Sequence, residues 1–125
     1  MQTSEISRDR WPQSLNQFSL MHEGWLVSVD VLGPTIGAQP EVRELPLVGV
    51  VAEVRDGGGT ITVSVARSLV DQITHTIHAP TRVWLERTDE GADAALAIES
   101  ASGTTTIVRF KTPALAETVD GLPKR

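Results

Sequence analysis

Apolar and polar residues alternate over most of this chain, and glycine or proline marks nearly every interruption. Such a period of two predicts strands. Between Gln72 and Arg87, Ile73, His75 and Ile77 alternate with Thr74, Thr76 and His78. Ala79-Pro80 then breaks the run, because proline cannot donate to a ladder. Beyond it, Val83 and Leu85 share one face while Arg82, Trp84 and Glu86 share the other. The pattern predicts one long strand, bent at Pro80, whose two ends pair with different neighbours, as when a small barrel closes.

The other segments follow the same logic. Trp25 to Leu32 places Trp25, Val27, Val29 and Val31 on one face. Leu45 to Arg55 is nearly all apolar, which predicts a central strand buried on both faces. Asp56-Gly57-Gly58-Gly59 reads as a hairpin turn into Thr60–Val65, where Ile61, Val63 and Val65 point inward. Thr88 to Gly91 and Ala101 to Gly103 are turns. Ala92 to Glu99 has helical propensity but lies between them, which favours a strand with Leu96 and Ile98 inward, followed by a last strand from Thr104 to Phe110. Before these strands, Trp11, Leu15 and Phe18 recur at spacings of four and three, with Leu20 and Met21 beyond. They form one helical stripe with Asp9 as N-cap and Gly24 as terminator. Gly33 to Glu44 reads as a long connection, with two glycines and two prolines. Residues 1–8 and 112–125 read as loosely ordered tails, with at most one helical turn near Leu115 to Thr118.

The expected class is therefore mainly β, at the margin of α+β. It comprises an N-terminal helix and about six antiparallel strands in a strongly bent sheet or a small SH3- or Sm-like barrel. A length of 125 residues fits one domain, 1–125, able to bury a core without staples. The chain has no cysteine, which excludes disulfides and thiolate chemistry and suits a reducing cytoplasm. A net charge of −5 and a pI near 5.1 argue against nucleic acid and anionic membranes as partners. No apolar run approaches a membrane span.

No catalytic constellation emerges. His75 and His78 lie three apart on a strand and so face opposite sides, while His22 sits on another element beside Glu23. No metal ion and no cofactor are expected. His75 reads as a hydrogen-bonded core histidine and His78 as support for a turn. The three-glycine turn lacks the helix and lysine of a phosphate loop, and Gly33-x-x-x-Gly37 is equally short of one. Glu86, Asp89, Glu90 and Asp93 read as a solvated acidic rim. Arg82 beside Trp84 has the make-up of an interface anchor. Candidate partner- or ligand-binding residues are thus Arg82, Trp84, His75, His78, Gly33 and Gly37.

H-E-G-W-L-V-S-V-D-V-L-G-P-T-I-G-A-Q at 22–39, L-P-L-V-G-V at 45–50, I-T-H-T-I-H-A-P-T-R-V-W at 73–84 and G-T-T-T-I-V-R-F at 103–110 resemble a family of small bacterial proteins catalogued only as a domain of unknown function. That resemblance covers most of the chain and implies no particular chemistry. The element order is also similar to Sm-like barrels, RNA-binding rings whose late strand mediates subunit contact. The loop at 33–44, the extra final hairpin, the acidic balance and the lack of a basic-aromatic platform depart from that pattern.

The functional expectation is a non-enzymatic, cytoplasmic binding or assembly module. Its partner is an unidentified protein or a second copy met through a strand edge. The runner-up is an Sm-like barrel that binds RNA or a nucleotide. A third reading, a small-ligand barrel, requires a pocket lined by His75.

Overall fold

The computed structural model describes residues 2–34, 37–56 and 58–113. Its strands are β1 (Gln2–Ile6), β2 (Leu26–Gly33), β3 (Gly37–Arg55), β4 (Gly58–Ser68), β5 (Asp71–His78), β6 (Pro80–Arg87), β7 (Asp93–Ser100) and β8 (Thr105–Phe110). One helix, α1 (Trp11–His22), follows a 3-10 turn at Arg8–Arg10. All pairings are antiparallel, in the order β1-β6-β7-β8-β2-β3-β4-β5. The sheet is strongly bent but not closed into a barrel.

The sheet bends within β3 as well as at Ala79, inside residues 72–87. Residues Ala38 to Pro46 pair with β2, and residues Leu47 to Arg55 pair with β4. Register shifts around Val29 and between Leu47 and Gly49 supply the extra twist where β3 changes partners. Glu44, with φ 52°, sits at that corner. The expected connection at 33–44 is therefore mostly strand, with Gly33 directly opposite Gly37. Pro40 is accommodated opposite Asp30 on this poorly covered segment, where Val42 is the buried residue.

The segment at 72–87 is two strands. Ala79 adopts φ 51°, a left-handed conformation at the single bend residue between β5 and β6. Its two halves do pair with different neighbours, β5 with β4, and β6 with β1 and β7. They lie six places apart in the strand order, so the bend at Ala79 carries the chain from one end of the open sheet toward the other. The expected N-terminal tail is likewise ordered from Gln2, as β1 paired with β6 from Gln2↔Arg87 to Ile6↔Val83. This makes eight strands where about six were expected. Residues 114–125, including the suggested turn at Leu115 to Thr118, lie outside the described residues.

Alternation delivers the core. Val27, Val29, Val83, Leu85, Leu96, Ile98, Val108 and Phe110 come from one half of the sheet, and Leu47, Val50, Ile61, Val63, Val65 and Ile77 from the other. Helix α1 adds Trp11, Leu15 and Phe18. Each such side chain taken fully out of water contributes about 1.5–3 kcal/mol. The helical stripe continues to His22 rather than to Leu20 and Met21, which are 70% and 51% exposed. Spacings of four, three and four keep Trp11, Leu15, Phe18 and His22 on one face, whereas Leu20 and Met21 rotate outward. Arg10, not Asp9, occupies the N-cap position and makes no side-chain cap.

β3 is not buried on both faces, since Val51 is 62% exposed. Helix α1 covers its edge instead. The Val50 N–H donates to Ser19 Oγ at 2.7 Å, and that hydroxyl lies 3.0 Å from the Val50 carbonyl oxygen and 2.7 Å from that of Leu15. One serine thereby satisfies backbone groups that β2 would have paired had it continued alongside.

Candidate functional site

Three places gather chemistry-bearing side chains. The innermost centres on His22, whose ring is 1% exposed. It stacks among Phe18, Trp25 and Phe110, each with ring centroids 4.6 Å away. Nδ1 lies 2.7 Å from the Phe18 carbonyl oxygen, and Nε2 lies 3.2 Å from Asp93 Oδ2. Both partners are acceptors, so both contacts are hydrogen bonds only when the ring carries a proton on each nitrogen. Arg87 Nε donates to the other Asp93 oxygen at 3.0 Å. Burial pushes the Asp93 carboxyl upward, yet the hydrogen bond and charge of His22, joined by those of Arg87, outweigh it and hold the group below its ordinary value. Asp93 is thus a partly buried link and not part of a solvated rim. The carboxylate serving His22 comes from β7, 71 positions away, while the adjacent Glu23 is exposed. With both ring nitrogens and both carboxylate oxygens engaged, the array joins α1 to β6 and β7.

The second place is the outer face of β6. Arg82 lies over the Trp84 ring at 4.9 Å and donates to Glu5 of β1 at 3.1 Å. The hydrogen bond from Arg82 to Glu5, then the Glu5 charge, raises the guanidinium further above its usual range. Trp84 stands across from Ala97, which in turn faces Ile107. The two expected anchor residues are therefore together, half-covered, and engaged with one another and with the N-terminal strand.

The third place is the outermost strand, β5, and the hairpin joining it to β4. Ser68 pairs with Asp71, leaving Leu69 and Val70 alone at the tip. They are fully exposed, at 105% and 96% of the reference area. Two adjacent aliphatic side chains wholly in water differ from the scattered ones every surface carries. His75 and His78 lie on this strand and, as alternation requires, on opposite faces. His75 reaches inward to within 3.4 Å of Thr106 Oγ1, while His78 is exposed. No set of three or more histidine and carboxylate side chains suited to a metal ion occurs among the described residues. Gly33 and Gly37 face each other where β2 ends and β3 begins, three and two places along the order from β5.

A groove of about 520 Å³ opens where β5 ends, lined in part by Arg8, Val54, Ala79, Pro80 and Ala101. Arg8 is fixed there by donating to the carbonyl oxygens of Gly58 at 2.6 Å and Pro80 at 3.3 Å. His75 is not on its wall. Sequence reasoning missed this groove and the Leu69-Val70 tip. The tip had a usable signal, since a two-residue hairpin turn is normally built from glycine, asparagine or aspartate, and Leu-Val is neither turn-forming nor polar.

No helix among the described residues is long and apolar enough to cross a membrane. A family model matches residues 2–119, and the chain belongs to that family, DUF5335, a family of unknown function. No curated protein and no solved structure matches the chain.

Proposed function

We propose that this DUF5335 protein is a non-enzymatic, cytoplasmic binding or assembly module, and that its contact element is the free edge of β5 with the Leu69-Val70 tip. The observation that carries this reading is the state of that edge. Strand β5 spans Asp71–His78 and pairs on one side only, with β4, among the described residues. Free edges normally carry lysine, proline or a bulge that blocks further pairing. From Gln72 to His78 there is no lysine, arginine, carboxylate or proline, and the register with β4 is unbroken from Thr60↔His78 to Ala66↔Gln72. The opposite edge is treated differently. There β1 is five residues long and carries Glu5, already engaged with Arg82. An unblocked edge is the surface at which proteins add a strand, main-chain bonds giving affinity and alternate side chains giving specificity. The interior is packed with aliphatic and aromatic side chains, which favours a contact surface outside the sheet over a ligand within it.

The test is site-specific photocrosslinking in the native cell. With the photoreactive side chain at Val70 or Thr76, protein adducts are expected; at Thr3 on β1, few are. Equal labelling at all three positions, or none at Val70 and Thr76, would overturn the assignment.

A further inference from the structure

We infer that the partner at this edge is a second copy of the same chain, joined by antiparallel β5–β5 pairing about a two-fold axis through His75. This rests on the reading of β5 as the contact element and goes on to name its occupant and register. The ladder to β4 fixes which backbone groups remain free. The Ala79 N–H donates to the Gly59 carbonyl at 3.1 Å. Because antiparallel pairs alternate between bonded and non-bonded, residues 73, 75 and 77 turn their N–H and C=O toward β4. Those of 72, 74, 76 and 78 therefore point to the open side. The contact between Ser64 Oγ and Thr74 Oγ1, 3.4 Å apart, agrees, because side chains approach most closely at non-bonded pairs.

Only registers that match an outward-facing residue with another can form bonds. Centring the two-fold on His75 pairs Thr74 with the second copy's Thr76, and Gln72 with its His78, each pair exchanging both backbone bonds. On the inner face it sets Ile73 against Ile77 and His75 against His75. Shifting the centre to Thr74 or Thr76 places Ile73 or Ile77 opposite a histidine and shortens the overlap. The His75-centred register is thus the longest available and the one that matches apolar with apolar side chains, the usual determinant of register. No side chain from Gln72 to His78 carries a fixed charge to oppose it. A two-fold interface must be self-complementary in this way.

The same register carries each Leu69-Val70 tip past Ala79 of the other copy, to the bend at which residues 79–81 enter β6. Those residues line the groove of about 520 Å³, whose wall also includes the apolar side chains of Val54 and Ala101. Two fully exposed aliphatic side chains are thus brought toward a groove whose wall is part apolar and part charged, with Arg8, Arg55 and Asp56 beside Val54 and Ala101.

The experiment uses the cysteine-free chain with single cysteines added. His75→Cys faces itself at a non-bonded pair, where the geometry suits a disulfide. It is expected to oxidise to a covalent dimer, whereas Thr74→Cys and Thr76→Cys, each alone, should form no disulfide and cross-link only when mixed. Sedimentation of the unmodified chain from micromolar to hundreds of micromolar should show a monomer–dimer equilibrium. Thr76→Pro removes an outward donor that β4 does not use, twice per dimer, and should weaken association about 30-fold. Leu69→Ser with Val70→Ser should weaken it without changing the circular dichroism. A chain that stays monomeric throughout that range, or a Thr74→Cys variant that cross-links alone as readily as His75→Cys, would overturn the inference. Crosslinks in the cell from Val70 and Thr76 to a different protein, alongside a monomeric pure chain, would refute self-pairing yet retain β5 as the contact edge.

Discussion

Asp93→Asn is the most informative single change in the interior. The substitution keeps size and shape but removes the charge that accepts from both His22 Nε2 at 3.2 Å and Arg87 Nε at 3.0 Å. It also sets an amide NH₂ against one of those donors. His22 is 1% exposed and ringed by Phe18, Trp25 and Phe110, so water cannot take the place of the lost acceptor. Removing one partner of a fully buried pair costs about 3–5 kcal/mol, and one hydrogen bond to a charged group about 1.5–3 kcal/mol. Asp93 is 15% exposed and Arg87 is 40% exposed, which places the expected loss between these, at about 2–4 kcal/mol. For a chain of this length that corresponds to a fall in Tm of about 8–16 °C. Urea unfolding at neutral pH, followed by tryptophan fluorescence, measures it. The same change made in His22→Gln should cost markedly less, because the partner has already gone. The sign of the pH dependence follows from the depressed Asp93 carboxyl. Its contribution is complete above the ordinary value of 3.8 and is lost as pH falls through the lower folded value. Parent and variant should therefore converge below pH 3.8. A variant within about 0.5 kcal/mol of the parent at neutral pH would refute the claim that this array ties the helix to β7.

Other substitutions test the corners of the fold. A Cβ at Gly59 would run into the Glu53 carbonyl oxygen and press on Val54 Cα across the β3–β4 hairpin. Gly59→Ala should therefore cost about 2–4 kcal/mol in chemical denaturation. Gly49→Ala meets Ser19 Oγ at an ordinary 3.5 Å and should cost less than about 1 kcal/mol. Ser19→Ala strips the Val50 backbone of its partner and should lower stability by about 1–3 kcal/mol, with faster amide exchange at Val50. Ala79→Gly relieves the left-handed φ of 51° and should raise stability by about 0.5–1 kcal/mol, net of the added freedom of the unfolded chain.

Where one face of a strand is buried, the chain announces it. The alternation at Ile61, Val63 and Val65 and at Leu96 and Ile98 is direct, and each of these residues lies in the core. Strands without that asymmetry are silent. Gln2–Ile6 has only Ile6 packed against the core, so its extended state is imposed by β6 and carries no periodic signature. Residues 38–46 fail for a related reason. Two prolines lie where a single buried residue, Val42, supplies the pattern, and the part up to Glu44 reads as loop although β2 pairs with it. The break at Ala79-Pro80 is visible in the sequence, but not that Ala79 is left-handed or that the strands on its two sides belong to opposite ends of the strand order. Nor could spacing connect His22 with Asp93, because only the packing of α1 against the bent sheet brings them within 3.2 Å.

Because a bent sheet that does not close must do something with every unpaired strand side, the fold's handling of its edges is itself informative. Beyond Leu47, β3 has parted from β2, and helix α1 takes that side with the Ser19 hydroxyl. At β1 the strand is short and its Glu5 is bound to Arg82, which stacks on Trp84, so the best sequence candidate for an interface anchor is occupied in securing the fold's own edge. Among the described residues, β5 alone is left with an edge that carries no fixed charge from Gln72 to His78 and is continuous, ending at one side in exposed Leu69-Val70 and at the other in a groove. Leaving it so invites uncontrolled strand addition unless a definite partner covers it. Pairing geometry decides whether this edge accepts such a partner, which makes the register between Thr74 and Thr76 the most direct question to put to this protein.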